Sequence, residues 1–325
     1  MISGRIESNL KSFQISAHAM HSTKPQLSNH PRDDIGRRTF LGALGAGIGG
    51  FVLWPACLNA AGRKLSEIAF VVVTDTHLGY KDEDKAAKLW SRTAAEIEAA
   101  PGAFVLHLGD IVDGGREEQY PIYLETRKII RKPVHEIPGN HDPHEKFERN
   151  IRKPVDMAFD HEWLRVLLLG NAHGDSHEGF LSVEQLAWLG AQCDDAAKRD
   201  LLVLIAMHVP VHTNAHPDRG WFVKPANGQT EFYALMTKHA ERMIALLHGH
   251  FHNGLRGWDD HAPVHEIVFP SALYNQDRQL EAKGAQGYNP IEFRPGYTLV
   301  RIREGVMELD YRVTGTDVKV SKKLP

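Results

Sequence analysis

Two cysteines, Cys57 and Cys193, are too few for a disulfide framework or a thiolate-held metal cluster. Charge of one sign is missing as well. Lys and Arg total 38 against 41 Asp and Glu, a net −3, which argues against the broad positive field of a dedicated nucleic-acid binder. The basic end Lys319–Lys323 is too short to alter that. The apolar run Leu41–Leu53 stops at 13 residues, short of the ~20 that a membrane-spanning helix needs. Gly45–Gly50 formally matches G-x-G-x-x-G, but it follows no strand and opens no amphipathic helix, so it is no dinucleotide fingerprint. What the chain does hold is a composition 42% hydrophobic and 24% charged, that of a globular protein with a sizeable core. It also holds 20 histidines, and their placement carries the argument.

Residues 1–36 are polar, without an apolar period, and read as a disordered n-region. Arg37-Arg38-Thr39-Phe40-Leu41 then leads into the weakly hydrophobic, glycine-rich run, so that 37–61 resembles a twin-arginine export signal. Small residues at Ala56 and Ala60-Ala61 suit cleavage nearby; the alternative is an uncleaved N-terminal membrane anchor. Met20 is an alternative start, and Trp54-Pro55-Ala56 before Cys57 matches a lipoprotein box poorly. The resemblance implies the twin-arginine export machinery as a partner and a periplasmic or otherwise extracytoplasmic location. Membrane contact would come only through an uncleaved signal.

From residue 66 the chain alternates. Ile68–Val73 is a short apolar, β-branched run, as a strand buried on both faces would be, and it ends in Asp75-Thr76-His77. A helix is predicted over 83–99, stopped by Pro101-Gly102. The next buried run ends in Gly109-Asp110-Ile111-Val112-Asp113, a second helix is predicted over 117–130, and a third strand ends in Gly139-Asn140-His141-Asp142. Residues 158–169 read as a strand pair and 182–196 as a helix. Leu201–Met207 ends in His208, a polar stretch 213–229 precedes a helix near 230–239, and Ile244–Leu247 leads to His248-Gly249-His250-Phe251-His252. Period-2 alternation in Val306–Val313 predicts an antiparallel meander at the end of one domain, 66–315, followed by a basic tail, 316–325.

Strand, polar turn and helix in succession imply parallel βαβ units, in which ligands gather at the carboxyl ends of the strands. Five strands therefore end in carboxylate, amide or imidazole groups: Asp75/His77, Asp110, Asn140/His141, His208 and His250/His252. Each alone has a bland reading, as a turn cap, a hydrogen-bonded core histidine or a solvated loop. Their joint occurrence does not. Within Asp75-x-His77 and His250-x-His252 the two side chains are expected on one side of an extended backbone. Oxygen and imidazole donors without thiolate suit Mn, Fe or Zn.

Asp-x-His, Gly-Asp-x-x-Asp, Gly-Asn-His-Asp, a lone His and Gly-His-x-His, in that order over about 70–255, resemble the calcineurin-like metallophosphoesterases. The resemblance implies an α/β fold, a four-layer αββα sandwich of two mixed β-sheets flanked by helices. It implies two divalent or trivalent metal ions (Mn, Fe or Zn), one on Asp75, His77, Asp110 and His252, the other on Asp110, Asn140, His208 and His250, with Asp110 shared. A water between such ions loses its proton near neutral pH and attacks a phosphate ester. His141 matches the family's catalytic histidine, expected to protonate the leaving oxygen, with Asp142 fixing its tautomer. Asp113 reads as structural or as a support behind the ligands rather than a ligand, and it stands where purple acid phosphatases carry a metal-binding tyrosine, which excludes that branch.

The expected substrate is a small-molecule phosphodiester or phosphomonoester. The same motif order resembles the class III cyclic-nucleotide phosphodiesterases, the alternative substrate reading. Candidates for substrate choice are His212, His216, Arg219, Trp221, Tyr274 and Arg278; His144 and His248 are not expected to be ligands. A different class, the non-catalytic scaffold that the retromer subunit of this fold represents, loses catalytic groups that this chain keeps.

Overall fold

A computed structural model describes residues 65–214, 220–258, 264–276 and 289–324. The n-region 1–36, the signal segment 37–61, His216, Arg219 and Arg278 lie outside them. Two six-stranded mixed sheets face each other. The first runs β12(Lys319–Leu324)-β11(Val306–Val313)-β10(Gly296–Arg303)-β1(Ile68–Val73)-β2(Val105–His107)-β3(Val134–Glu136), with β1, β2 and β3 parallel. The second runs β4(Met157–His161)-β5(Leu164–Leu169)-β6(Leu202–Met207)-β7(Met243–His248)-β9(Glu266–Val268)-β8(Arg256–Trp258), with β5, β6, β7 and β9 parallel.

Period-2 alternation sorts the side chains into layers. Phe70, Val72, Leu106 and Val300 of the first sheet meet Leu164, Val166, Leu204 and Leu247 of the second in the central core. Val71, Val73 and Leu299 point the other way, against Trp90, Ala94 and Ile97 of α1(Glu83–Ala99). Leu167, Val203, Ile205 and Leu246 pack outward under α4(Val183–Lys198) and α5(Gln229–Lys238), with Leu189, Cys193, Phe232 and Met236. The order is helix, sheet, sheet, helix, the four layers expected. Each large apolar side chain so buried contributes about 1.5–3 kcal/mol.

Caps explain where the helices begin. The Asp82 side chain accepts the Lys85 N–H ahead of α1, and Ser182 and Gln185 form a reciprocal capping box at α4. The stretch expected as a helix over 117–130 divides into a 3-10 turn, Glu117–Gln119, and α2(Tyr120–Arg127). α3(His144–Asn150) was not expected; only Phe147 of its seven residues is buried, so it leaves no apolar period. The basic tail needs correcting too. Lys319–Leu324 is strand β12, its Val320 opposite Tyr311 and its Lys323 opposite Glu308, so lysines interleaved with apolar residues face an acidic strand. Among the described residues no helix is long and apolar enough to cross a membrane.

Candidate metal centre

Asp75 and His77 follow β1, Asp110 follows β2, Asn140 and His141 follow β3, His208 follows β6, and His250 and His252 follow β7. Three strand ends of the first sheet thus meet two of the second, and the seven expected ligands are all buried. Backbone bonds bind the turns together: Asp75 N–H to Gly109 O at 2.9 Å, His77 N–H to Asp110 O at 2.9 Å, and Gly249 N–H to His208 O at 3.1 Å. Approach is close enough to demand glycine at two crossings. A Cβ on Gly139 would overlap Asp110 Oδ1 and its amide nitrogen, and one on Gly249 would overlap Thr74 Oγ1.

The extended backbone expected for the Asp-x-His and His-x-His pairs is not what forms. Asp75 (φ 55°), His77 (41°), Asp110 (51°), His250 (77°) and His252 (51°) all have positive φ. Non-glycine residues seldom adopt it, at about 1–3 kcal/mol each, and do so mainly at functional sites. The sharp turns let both members of each pair reach inward.

All four imidazoles in the set are held alike. His208 Nδ1 donates to Leu108 O at 2.6 Å, His252 Nδ1 to Tyr274 O at 2.8 Å and His250 Nε2 to His177 O at 3.0 Å, while His77 Nδ1 lies 3.1 Å from Asp113 Oδ1. Carbonyls only accept, so those ring nitrogens carry the proton and the opposite nitrogens face the centre. There His77 Nε2 and His252 Nε2 stand 3.1 Å apart, and His208 Nε2 and His250 Nδ1 stand 3.2 Å apart. One oxygen belongs to both pairs: Asp110 Oδ2 is 3.4 Å from His77 Nε2 and 3.3 Å from His208 Nε2. Asp75 Oδ1 is 2.9 Å from His252 Nε2.

Asp75, His77, Asp110 and His252 form one group able to hold a metal ion, and Asp110, His208 and His250 form another. Asn140 adds a buried Oδ1 with no hydrogen-bond partner. Facing lone pairs, a shared carboxylate oxygen and an unpartnered amide oxygen fit hard or borderline cations.

The buried carboxylates call for positive charge, whether as protons on the imidazoles or as a cation. Burial pushes the Asp75 and Asp110 carboxyls up, yet the imidazoles, His252 foremost for Asp75 and His208 for Asp110, hold both below the ordinary carboxylate value. Burial opposes charge on His77 and His208, but Asp110 above all raises them to about 10 and about 9. Burial and the neighbouring His208 push His250 well below the usual imidazole value. Buried carboxylates demand positive charge beside them, and a cation between the facing nitrogens meets that demand.

His141 sits outside these two groups, packed edge-on against His77 at 4.7 Å between ring centroids; with His77 and Asp113 it forms a third set of facing donors, the less buried one. Its Nδ1 lies 3.1 Å from Asp113 Oδ1 and 3.0 Å from the Gly114 N–H. Burial opposes its charge, but Asp113, then Asp110, raises its pKa. Asp142, expected to fix this ring, is elsewhere. It accepts the N–H groups of Ile111, Val112 and Gly139 at 2.9, 3.1 and 3.0 Å and the Tyr120 hydroxyl at 3.0 Å. Asp113 takes the orienting position; Asp142 holds two of the ligand turns together.

A cavity of about 100 Å³ opens over the centre, lined by His77, Asp110, Asn140, His141, His177, Trp221, His250, Phe251, His252, Tyr274 and Gln276. Trp221 and Tyr274 were expected near the substrate, whereas His212 stacks on Trp258 and does not line it. His177 and Tyr80 were missed. His177 stacks on Trp221 at 4.3 Å and Tyr80 on Tyr274 at 4.8 Å, one pair beside each group of ligands. Neither residue belongs to a recurring pattern, so nothing in the sequence marked them.

A family model described as "Calcineurin-like phosphoesterase" matches residues 68–254. The chain is 29% identical over 198 residues to a probable glycerophosphodiester phosphodiesterase of Arcobacter nitrofigilis, covering 56% of this chain and 71% of that one. It is equally 29% identical over 198 residues to the 3',5'-cyclic adenosine monophosphate phosphodiesterase of Haemophilus influenzae, covering 57% and 70%. A dimetal phosphatase from Danio rerio shares the fold, with TM-score 0.58 at 16% identity over 78% of this chain and 98% of that one.

Proposed function

Since this chain belongs to the calcineurin-like phosphoesterase family, hydrolases of phosphate esters, we propose that it hydrolyses a small-molecule phosphodiester with two metal ions. Asp75, His77, Asp110 and His252 would hold one, and Asp110, Asn140, His208 and His250 the other. The observation that carries this reading is the common geometry of the four imidazoles, each pinned by one nitrogen and turning the other toward a centre that shares Asp110 Oδ2. When bound, such ions supply Lewis-acid charge for the phosphoryl oxygens and make a water acidic enough to attack phosphorus.

The chain's own residues supply the rest. His141 lines the cavity, and its Nδ1 accepts the Gly114 N–H at 3.0 Å, so in the neutral ring the opposite nitrogen is the one that would carry a proton to the leaving oxygen. Asp142 keeps the Asp110 and Asn140 turns in register through three backbone N–H groups. We favour a diester over a monoester. Both curated relatives above are named for diester cleavage.

The stacked pairs Trp221/His177 and Tyr80/Tyr274 favour a cyclic nucleotide as the second reading, since each offers a flat face to a base. A purely non-catalytic scaffold has no use for the pinned imidazoles. Metal analysis followed by assays on an aryl phosphodiester, its monoester, a cyclic nucleotide and a glycerophosphodiester separates these cases. Two bound equivalents with no cleavage of any ester would overturn the enzymatic reading; preference for the monoester would overturn the diester. We extend the proposal to export, on the strength of Arg37-Arg38 and the apolar run after it. Replacing both arginines by lysine should leave the protein in the cytoplasmic fraction, and unchanged export would count against the signal.

A further inference from the structure

The turn that follows His208 is gripped by buried side chains from three other parts of the chain. Asn171, just after β5, donates to the Val209 carbonyl at 2.7 Å and accepts the Val209 N–H at 3.1 Å. Gln229, at the start of α5, donates to the Val211 carbonyl at 2.6 Å. Glu266 of β9 completes the grip. One of its oxygens, Oε2, accepts the N–H groups of Val211 and His212 at 3.1 and 3.0 Å and lies 3.2 Å from His248 Nε2. The other accepts the Tyr233 hydroxyl from α5.

This carboxylate is 2% exposed, and burial of a charge is tolerated only with such a set of donors. The position of those donors matters more than their number. Val211 and His212 follow the β6 end that carries His208, and His248 closes β7 two residues before His250. A single side chain therefore touches both strand ends of one ligand pair. None of its contacts named above involves the strand ends that carry Asp75, His77 or Asp110; of the other group's ligands only His252 shares one of its strand ends, that of β7.

We propose that Glu266 is a positioning residue for the His208/His250 side of the centre, fixing the two strand ends at the spacing that brings His208 Nε2 and His250 Nδ1 within 3.2 Å. The inference rests on the two-metal reading above and adds to it an asymmetry: Glu266 braces both strand ends of the His208/His250 pair but only the β7 end among the other group's ligands.

The full chain is stripped of metal and titrated with Mn²⁺, with bound metal counted by elemental analysis and each equivalent's affinity read by calorimetry. Wild type is expected to take two equivalents. Glu266→Gln removes the negative charge that holds two backbone N–H groups and His248 together, so it should weaken one equivalent by about 10–100-fold and the other distinctly less. Glu266→Asp, too short to reach both amides, should do the same to a lesser degree. Tyr233→Phe leaves the contacts to the two strand ends and should bind as wild type does.

A Gln variant that binds both ions normally, or weakens both alike, overturns the proposal; should it fail to fold, the Asp variant decides on the same terms. Hydrogen exchange on metal-free wild type gives an independent check. The Val211 and His212 amides should already be protected, and protection that arises only with Mn²⁺ would show the ion, not Glu266, ordering the turn. Wild type that takes up no metal would instead defeat the reading of the site itself.

Discussion

His141 and Asp113 test the chemistry at the scale of single residues. His141→Ala should leave metal content unchanged and lower turnover by about 10²–10⁴-fold, the range for a lost proton donor; loss of metal in that variant would reassign His141 as a ligand. Asp113 touches both His77 Nδ1 and His141 Nδ1 at 3.1 Å. Asp113→Asn is therefore expected to cost about 10–100-fold in metal affinity or turnover, and native values for both would remove it from the mechanism. At this scale the clustering of the seven expected ligands was legible because each closes a strand in a recognisable order. The choice between Asp113 and Asp142 was not. Asp142 adjoins His141 in sequence, but its carboxylate turns toward the Ile111 and Val112 amides, while Asp113 arrives from another turn. Asn171 and Glu266 were illegible for a related reason: each reaches the centre alone, from an element with no motif of its own.

At the scale of elements the strand ends must cross closely. Gly139→Ala drives a methyl into Asp110 and should destabilise the fold by about 1–3 kcal/mol or more, with loss of metal; a native melting temperature and metal content would show that the turn can shift. On the far side, β12 is joined to the chain after His252 through Glu292. That fully buried carboxylate accepts Leu255 N–H at 3.1 Å and Arg256 Nη1–H at 2.8 Å through Oε2, and its Oε1 is ion-paired with Lys322 Nζ at 2.5 Å. Glu292→Gln leaves two cations without their anion and is expected to cost about 3–5 kcal/mol, read from urea unfolding; a loss under 1 kcal/mol, about the worth of an exposed pair, would mean the cluster is unimportant. Long periodic elements such as α1 were readable from sequence almost to the residue. Short ones without a polar motif at their end were not: β8 and β9 have three residues each, too few for a period, and β12 looked like a charged tail because Glu308 opposite Lys323 and Tyr311 opposite Val320 are visible only after pairing.

For the whole molecule, metal and fold should be linked. Mn²⁺ at 100 times its dissociation constant adds about 2.7 kcal/mol per site, several degrees in Tm for a domain of this size. Chelation should reverse it, and an unchanged Tm would argue against ions within the folded core. The layered architecture was legible because both sheets are built from buried apolar runs, whereas how far the two sheets' strand ends interlock was not. That interlocking has a consequence for the order of events in synthesis. Asp75 and His252 share one group of ligands yet stand 177 positions apart (252 − 75), and His250 completes the other. A ribosome that has not yet passed residue 250 displays neither group complete. On the two-metal reading the ions would be captured late in synthesis, and a product truncated before residue 250 lacks a ligand of each group.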